Sequence, residues 1–262
     1  MDYFIWDMNP VLNAWGFLTI RWYGLFFATA FISSYLLMTW IYIREGKNTD
    51  DVDDLLWYMV ISTIVGARLG HCLFYNPEYY FSHPLKIFAV WEGGLASHGA
   101  MFGITTGLYL FQRRVEESFV WFLDRISVVC AIGASFIRTG NFFNSEIIGV
   151  PTTVPWAIVF KRVDLLPRHP VQLYEALSCA LVFILLLHMY RKMQDQIRPG
   201  VIFASYLFWI FLIRFFLEFV KTRQAAYGND FWLSTGQLLS IPFVLAGLWF
   251  ILYPRFKKRT LI

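Results

Sequence analysis

The chain has 262 residues, of which 58% are hydrophobic, 20% aromatic and only 15% charged. Soluble domains run near half apolar and a quarter charged, so this composition excludes an ordinary soluble domain and points to a polytopic membrane protein. The net charge of +4 is small and no basic run interleaves with aromatics, which argues against nucleic acid as a ligand.

The opening segment MDYFIWDMNPVLNAWG carries no Lys or Arg and so lacks the basic start of a cleaved signal peptide. Asp2 and Asp7 fit a short tail outside the cytoplasm. Seven segments long and apolar enough to cross a bilayer follow, at 17–43, 54–75, 94–112, 118–138, 172–190, 199–221 and 235–253. The fold predicted is all-α: a polytopic membrane helix bundle of about seven transmembrane helices, forming a single domain over residues 1–262. Two longer connections, 76–93 and 139–171, form a loop region on one side. Gly66 and Gly70 make one GxxxG, and Gly99, Gly103 and Gly107 a double one, a pattern that lets helices approach closely in lipid. Cys72, Cys130 and Cys179 lie in apolar stretches without metal or redox spacing and are expected as packing residues. No internal repeat is present.

Lys and Arg in the loops set the orientation. Arg44, Lys47, Arg113, Arg114, Arg191, Lys192, Arg198, Arg255, Lys257, Lys258 and Arg259 outnumber Lys86, Lys161, Arg162, Arg168, Lys221 and Arg223 on the other side. The richer side is expected in the cytoplasm, with the N-terminus and the 76–93 and 139–171 loops outside and the C-terminus inside.

An ionisable residue within a span costs about 2.5–3.5 kcal/mol on insertion scales, so it calls for a partner, water or a function. Arg21, Arg68, His71, His98, Arg138, Arg214 and Glu218 are such residues. Depth along each span puts them at one level in the outer half of the membrane; Arg214 sits about 10 Å below its helix end at 1.5 Å per residue. Arginine stays charged and grips phosphate through a bidentate fork, so this level reads as a phospholipid headgroup site. Arg214 and Glu218, spaced i,i+4, can also pair with each other, and Arg21 fits snorkelling to the interface. Asp124 and Arg125 read as structural. No grouping has the ligand set of a zinc site, so neither metal nor cofactor is expected.

Four stretches are unusually polar for their depth: GGLASHG (93–99), IRTGNFFNSEIIG (137–149), RHPVQLYEA (168–176) and IRFFLEF (213–219). With RWYGL (21–25) and ARLGHCLFYNP (67–77), in this order, they resemble the prolipoprotein diacylglyceryl transferase family over nearly the whole chain. The resemblance implies a bacterial inner-membrane enzyme. It would move the diacylglyceryl group of phosphatidylglycerol to the lipobox cysteine thiol of a prolipoprotein signal peptide, releasing glycerol 1-phosphate. It implies His98, Arg138 and Arg214 as catalytic residues, with Tyr23, Arg68, Gly99, Asn141, Asn144, Glu146 and Glu218 toward substrate. His98 either takes the thiol proton or positions substrate, and Gly93, Gly94 and Gly99 clear side chains where lipid and peptide approach. Asn141, Asn144 and Glu146 shape the loop after Arg138. His169, Gln172, Tyr174 and Glu175 either anchor a helix start or touch ligand. Ile210, where the family often has tyrosine, and Ala100, where glycine is common, depart from the pattern. The alternative is a transporter or binding protein for an anionic phospholipid; a transporter predicts duplicated halves, and a binding subunit has no need of a glycine-flanked histidine.

Overall fold

Every one of the seven segments contains a helix. The computed structural model of the chain describes residues 3–15, 18–90, 94, 96–192, 198–222 and 233–253, with the backbone alone for residues 14, 15, 18, 97 and 98. Gly93, Arg223, Arg255, Lys257, Lys258 and Arg259 lie outside the described residues. The long helices are α1 (Trp22–Arg44), α2 (Asp50–Phe74), α4 (Ser97–Gln112), α5 (Phe119–Phe143), α6 (Val171–Lys192), α7 (Val201–Leu217) and α8 (Thr235–Leu252); a short α3 (Pro77–Ser82) follows α2. Among the described residues six helices are long and apolar enough to cross a membrane, with α4, at 16 residues, the shorter one. Only 17–39% of each such span is buried in protein. The rest is apolar surface that needs lipid around it, so this is a multi-pass membrane protein.

The chain forms two compact units, Met1–Leu37 with Asp124–Ile262, and Met38–Leu123. In the smaller unit α2 and α4 meet along their glycines. A Cβ on Gly66 would stand 2.7 Å from Gly103 Cα and would also strike Gly99 O; one on Gly70 would lie 2.7 Å from Gly99 Cα. The three acidic residues Asp50, Asp51 and Asp53 favour the positive N-terminal end of α2, which therefore starts four residues earlier than hydropathy indicated. At the same end of the unit, Lys47 pairs with Glu117 and Trp121 Nε1 donates to Glu45 at 2.8 Å.

The larger unit adds short strands to its helices. Strand β1 (Phe4–Trp6) runs parallel to β4 (Ile158–Phe160), which pairs antiparallel with β5 (Pro167–Arg168); β2 (Val11–Trp15) and β3 (Leu18–Arg21) form a separate antiparallel pair. The segment expected as a plain tail is thus a strand region, and Arg21 closes β3 rather than entering the first helix. Phe142, Ile158 and Phe160 are buried together with Trp6, Phe143, Ile148 and Leu173 around them. This cluster carries α5 five residues past its expected end, because Phe142 and Phe143 are packing residues of the cluster and not loop.

Asp124, 2% exposed, accepts from Gly200 N at 2.7 Å and Phe203 N at 2.9 Å, so it caps the start of α7. A capping box of Ser234 and Gln237 starts α8. Cys72 is buried, whereas Cys130 is exposed on α5: a lipid-facing position is as apolar as a core position, so apolar context does not tell them apart.

In the loop between α5 and α6, Asp164 accepts from Arg168 Nη2 at 2.5 Å and Nε at 3.0 Å, and Arg168 Nη1 donates to Gly149 O at 3.0 Å. The Arg168 hydrogen bonds hold the Asp164 carboxyl below the usual carboxylate range. A depressed folded value means the stabilisation is present above the ordinary value of ~3.9 and is lost as pH falls through the folded value. Asp164→Asn is expected to lower the thermal midpoint at neutral pH, with the gap to the wild-type protein closing on acidification below pH ~4. A gap that stays constant with pH would count against the pairing as its source.

Candidate functional site

The cluster of polar side chains in the larger unit grows from the last turns of α5. Arg138 and Asn141 lie three residues apart on one face, and Arg138 Nη1 donates to Asn141 Oδ1 at 3.4 Å. Asn141 Nδ2 donates to Glu146 at 3.2 Å and Asn144 Nδ2 to the other oxygen of the same carboxylate at 3.0 Å. Asn141 therefore sits in the helix, not in the loop, while Asn144 and Glu146 form the turn that leaves it. Tyr23, near the start of α1, packs its ring over Gly140, where a Cβ would come within 3.0 Å of Cδ2. Its hydroxyl is in electrostatic reach of Glu146 and Arg138.

The turn is under backbone strain. Ser145 and Ile147 both have φ of +56°. A β-branched residue in the left-handed region is a genuine outlier, and such residues persist only where neighbours hold them. The holding contacts are Glu146 N to Asn141 O at 3.0 Å and Gln172 Nε2 to Glu146 O at 2.5 Å. Gln172, fully buried, is thus a loop anchor. Gly149 follows, bonded to His169 O at 3.0 Å, and any Cβ there would lie 2.5 Å from His169 O and 2.7 Å from Val220 O. Val150 N donates to Val220 O at 2.9 Å and Thr222 N to Ile148 O at 3.2 Å. Residues 148–150 are clamped between the start of α6 and the chain after α7.

Two charged residues complete the cluster. Glu175, on α6 and 8% exposed, places Oε2 3.0 Å from Arg138 Nε as an ion contact without an aligned hydrogen bond. Its Oε1 accepts from Lys221 Nζ at 3.1 Å, and Lys221 is also 8% exposed. Lys221 falls in the set of outward loop charges by sequence and Glu175 among helix-start anchors. Glu175 nevertheless lies inside the predicted fifth span, and an ionisable residue there is the same signal that singles out Arg138. Nothing in the sequence ties Lys221 to it.

Arg138 retains 27% side-chain exposure, and its Nη2 has no partner among the described residues. The end-on fork of Nη1 and Nη2 is the part of the guanidinium suited to a phosphate. Arg214 is on the last turn of α7 and exposed. No ion pair joins it to Glu218 among the described residues. The carboxyl of Glu218 instead lies against Gly236 in the first turn of α8, where a Cβ would be 2.7 Å from it. The positive end of a helix favours a carboxylate there. His169 Nδ1 lies 3.3 Å from the Tyr174 hydroxyl, which accepts from Trp156 Nε1 at 2.7 Å, and burial holds the His169 imidazole below its usual range.

In the smaller unit Arg68 is 3% exposed and turned to the protein itself. It donates to Lys86 O at 2.5 Å, Ile87 O at 2.9 Å and Gly94 O at 3.3 Å, with its guanidinium 5.0 Å from the Tyr80 ring centre. Arg68 thereby ties the connection between α3 and α4 to α2. His71 stacks on Tyr75 and stands against Gly94, where a φ of +71° and a Cβ that would lie 2.6 Å from the imidazole Cδ2 exclude a side chain. Gly99 is part of the seam with α2, its Cβ direction filled by Gly66 O and by Gly70 Cα at 2.9 Å. His98 occupies the first turn of α4; its side chain, like Gly93, lies outside the described residues.

The model of the prolipoprotein diacylglyceryl transferase family matches residues 10–253. A protein of Chloroherpeton thalassium named phosphatidylglycerol–prolipoprotein diacylglyceryl transferase is 52% identical over 248 residues, covering 94% of this chain and 92% of its own. Proteins of the same name from Tolumonas auensis (48% identity, 93% of this chain, 94% of its own) and Porphyromonas gingivalis (44%, 94% and 93%) are similar throughout. The match takes in all seven long helices, the strained turn after Arg138 and the clamp around Gly149, and on that extent the chain belongs to the prolipoprotein diacylglyceryl transferase family.

Proposed function

We propose that this protein transfers the diacylglyceryl group of phosphatidylglycerol to the lipobox cysteine thiol of prolipoproteins, the first step of bacterial lipoprotein maturation. The observation that carries the reading is an arginine at the end of a membrane helix, partly exposed and with its Nη2 without a partner among the described residues, in a chain 52% identical to a protein of that name. The thiolate sulfur attacks the glyceryl carbon, the carbon–sulfur bond forms as the carbon–oxygen bond breaks, and glycerol 1-phosphate departs. Arg138 and Arg214 hold the phosphate whose charge grows in that step, which is where electrostatics contribute most. Tyr23 adds a hydroxyl within electrostatic reach of Arg138, and Asn141, Asn144 and Glu146 keep the turn in shape. Glu218 supports the Arg214 end of α7.

The acceptor cysteine has a pKa near ~8.5, so only a small fraction is thiolate at neutral pH and a base assists. His98 fills that role. The Lys and Arg bias of the loops supports an outward N-terminus, a cytoplasmic C-terminus and a site toward the outer leaflet of the plasma membrane.

Purified protein mixed with phosphatidylglycerol and a lipobox peptide is expected to yield a thioether-linked lipopeptide by mass spectrometry. A folded preparation that makes none would sink this reading. His98→Gln is expected to suppress the rate and to change its pH dependence; a lower rate with an unaltered pH profile would remove His98 as the base.

A further inference from the structure

Two cationic side chains meet at one carboxylate. Glu175 lies 3.0 Å from Arg138 Nε and 3.1 Å from Lys221 Nζ, and Glu175 and Lys221 are each 8% exposed. Arg138 and Glu175 alone would make a neutral pair. Lys221 makes the group net positive, with charges +1, +1 and −1. Burying a further charge is unfavourable for the fold, and buried pairs are often replaceable by apolar groups without loss of stability. The surplus charge is therefore an expense that stability does not explain. Glu146, the other carboxylate nearby, is exposed to solvent and held by two asparagine amides.

We propose that Lys221 is a positioning residue for phosphate recognition: it balances Glu175, so that Glu175 can orient Arg138 without cancelling its charge. Arg138 needs a fixed side-chain geometry to present its fork, and Glu175 supplies this through Nε. A carboxylate this close would by itself weaken the attraction of Arg138 for an anion in a low-dielectric site. Lys221 is in turn held by its backbone, since residues 220 and 222 bond to residues 150 and 148. The proposal rests on the transferase reading above and extends it to two residues outside the expected site.

The test uses the full chain in mixed micelles, titrating phosphatidylglycerol at saturating lipobox peptide, with thermal unfolding recorded for each variant. Lys221→Met is expected to raise KM for the lipid at least tenfold with a smaller change in kcat. Glu175→Gln is expected to leave KM unraised and to lower kcat, because Arg138 loses its orienting contact. Lys221→Arg restores a KM near that of the wild-type protein. The double variant Lys221→Met/Glu175→Gln, again net positive, returns KM most of the way, and it carries the test should Lys221→Met fail to fold. A structural role would shift both single variants in the same direction, in step with their unfolding midpoints. An unchanged KM in folded Lys221→Met, or a double variant with KM as high as the single, overturns the proposal. Absence of product from the wild-type protein would instead defeat the transferase reading and this inference with it.

Discussion

Arg138→Ala is expected to lower kcat/KM by about 10²-fold or more, the scale seen when one preorganised donor to a developing negative charge is removed. The loss has two physical sources. In the proposed reaction the guanidinium that holds the phosphate disappears, and Glu175 is left paired with Lys221 alone, so the site loses a positive charge where the proposed leaving group gains a negative one. Arg214→Ala is expected to cost at least tenfold, about 1.4 kcal/mol. Turnover assays on both variants decide the matter, and near-wild-type kcat/KM in either would contradict its phosphate role. Arg138→Lys is a useful companion. It keeps the charge and loses the planar fork and the Nε contact, so its residual rate separates attraction from orientation.

The second large effect is on stability, at the seam between α2 and α4. Gly66→Ala is expected to lower stability by about 1–3 kcal/mol, and Gly66→Leu by more, because the added carbon meets backbone that has no rotamer to change. Gly24→Ala is the matched control. It has nothing within 4 Å of its Cβ direction, so the substitution is expected to be neutral or to stabilise α1 by up to ~1 kcal/mol through helix propensity. Unfolding followed by circular dichroism in detergent compares the two. Equal midpoints for Gly66→Ala and Gly24→Ala would remove the steric argument for the seam.

The membrane helices were legible in the sequence because hydropathy over about 20 residues is a strong signal. The strands were not. Phe4–Trp6 is three residues long, and its partner is some 150 positions away, so neither periodicity nor turn chemistry marks it. Within the site, Arg138 and Asn141 stood out as polar residues at membrane depth, and they do lie together. Arg68 shows the same signal, and three carbonyls between α3 and α4 accept from its guanidinium. An intramembrane arginine announces that partners exist; it does not say whether they are ligand or loop. Spacing misled for Arg214 and Glu218 as well. The i,i+4 interval permits a pair, but the start of α8 competes for the carboxylate, and that competitor is invisible until α7 and α8 are placed side by side.

The pairing of β1 with β4 sets an order of events during synthesis. At chain growth of roughly 5–20 residues per second, β1 waits about 8–30 s before its partner strand has been made. In that interval Phe4 and Ile5, still 62% and 61% exposed when folded, form an open strand edge with no sheet to join. Trp6 likewise waits for Phe142, its ring centre ending 4.4 Å away. The end of α5 that carries Arg138 and Asn141 is therefore completed late, by an earlier-made segment returning to a later-made one.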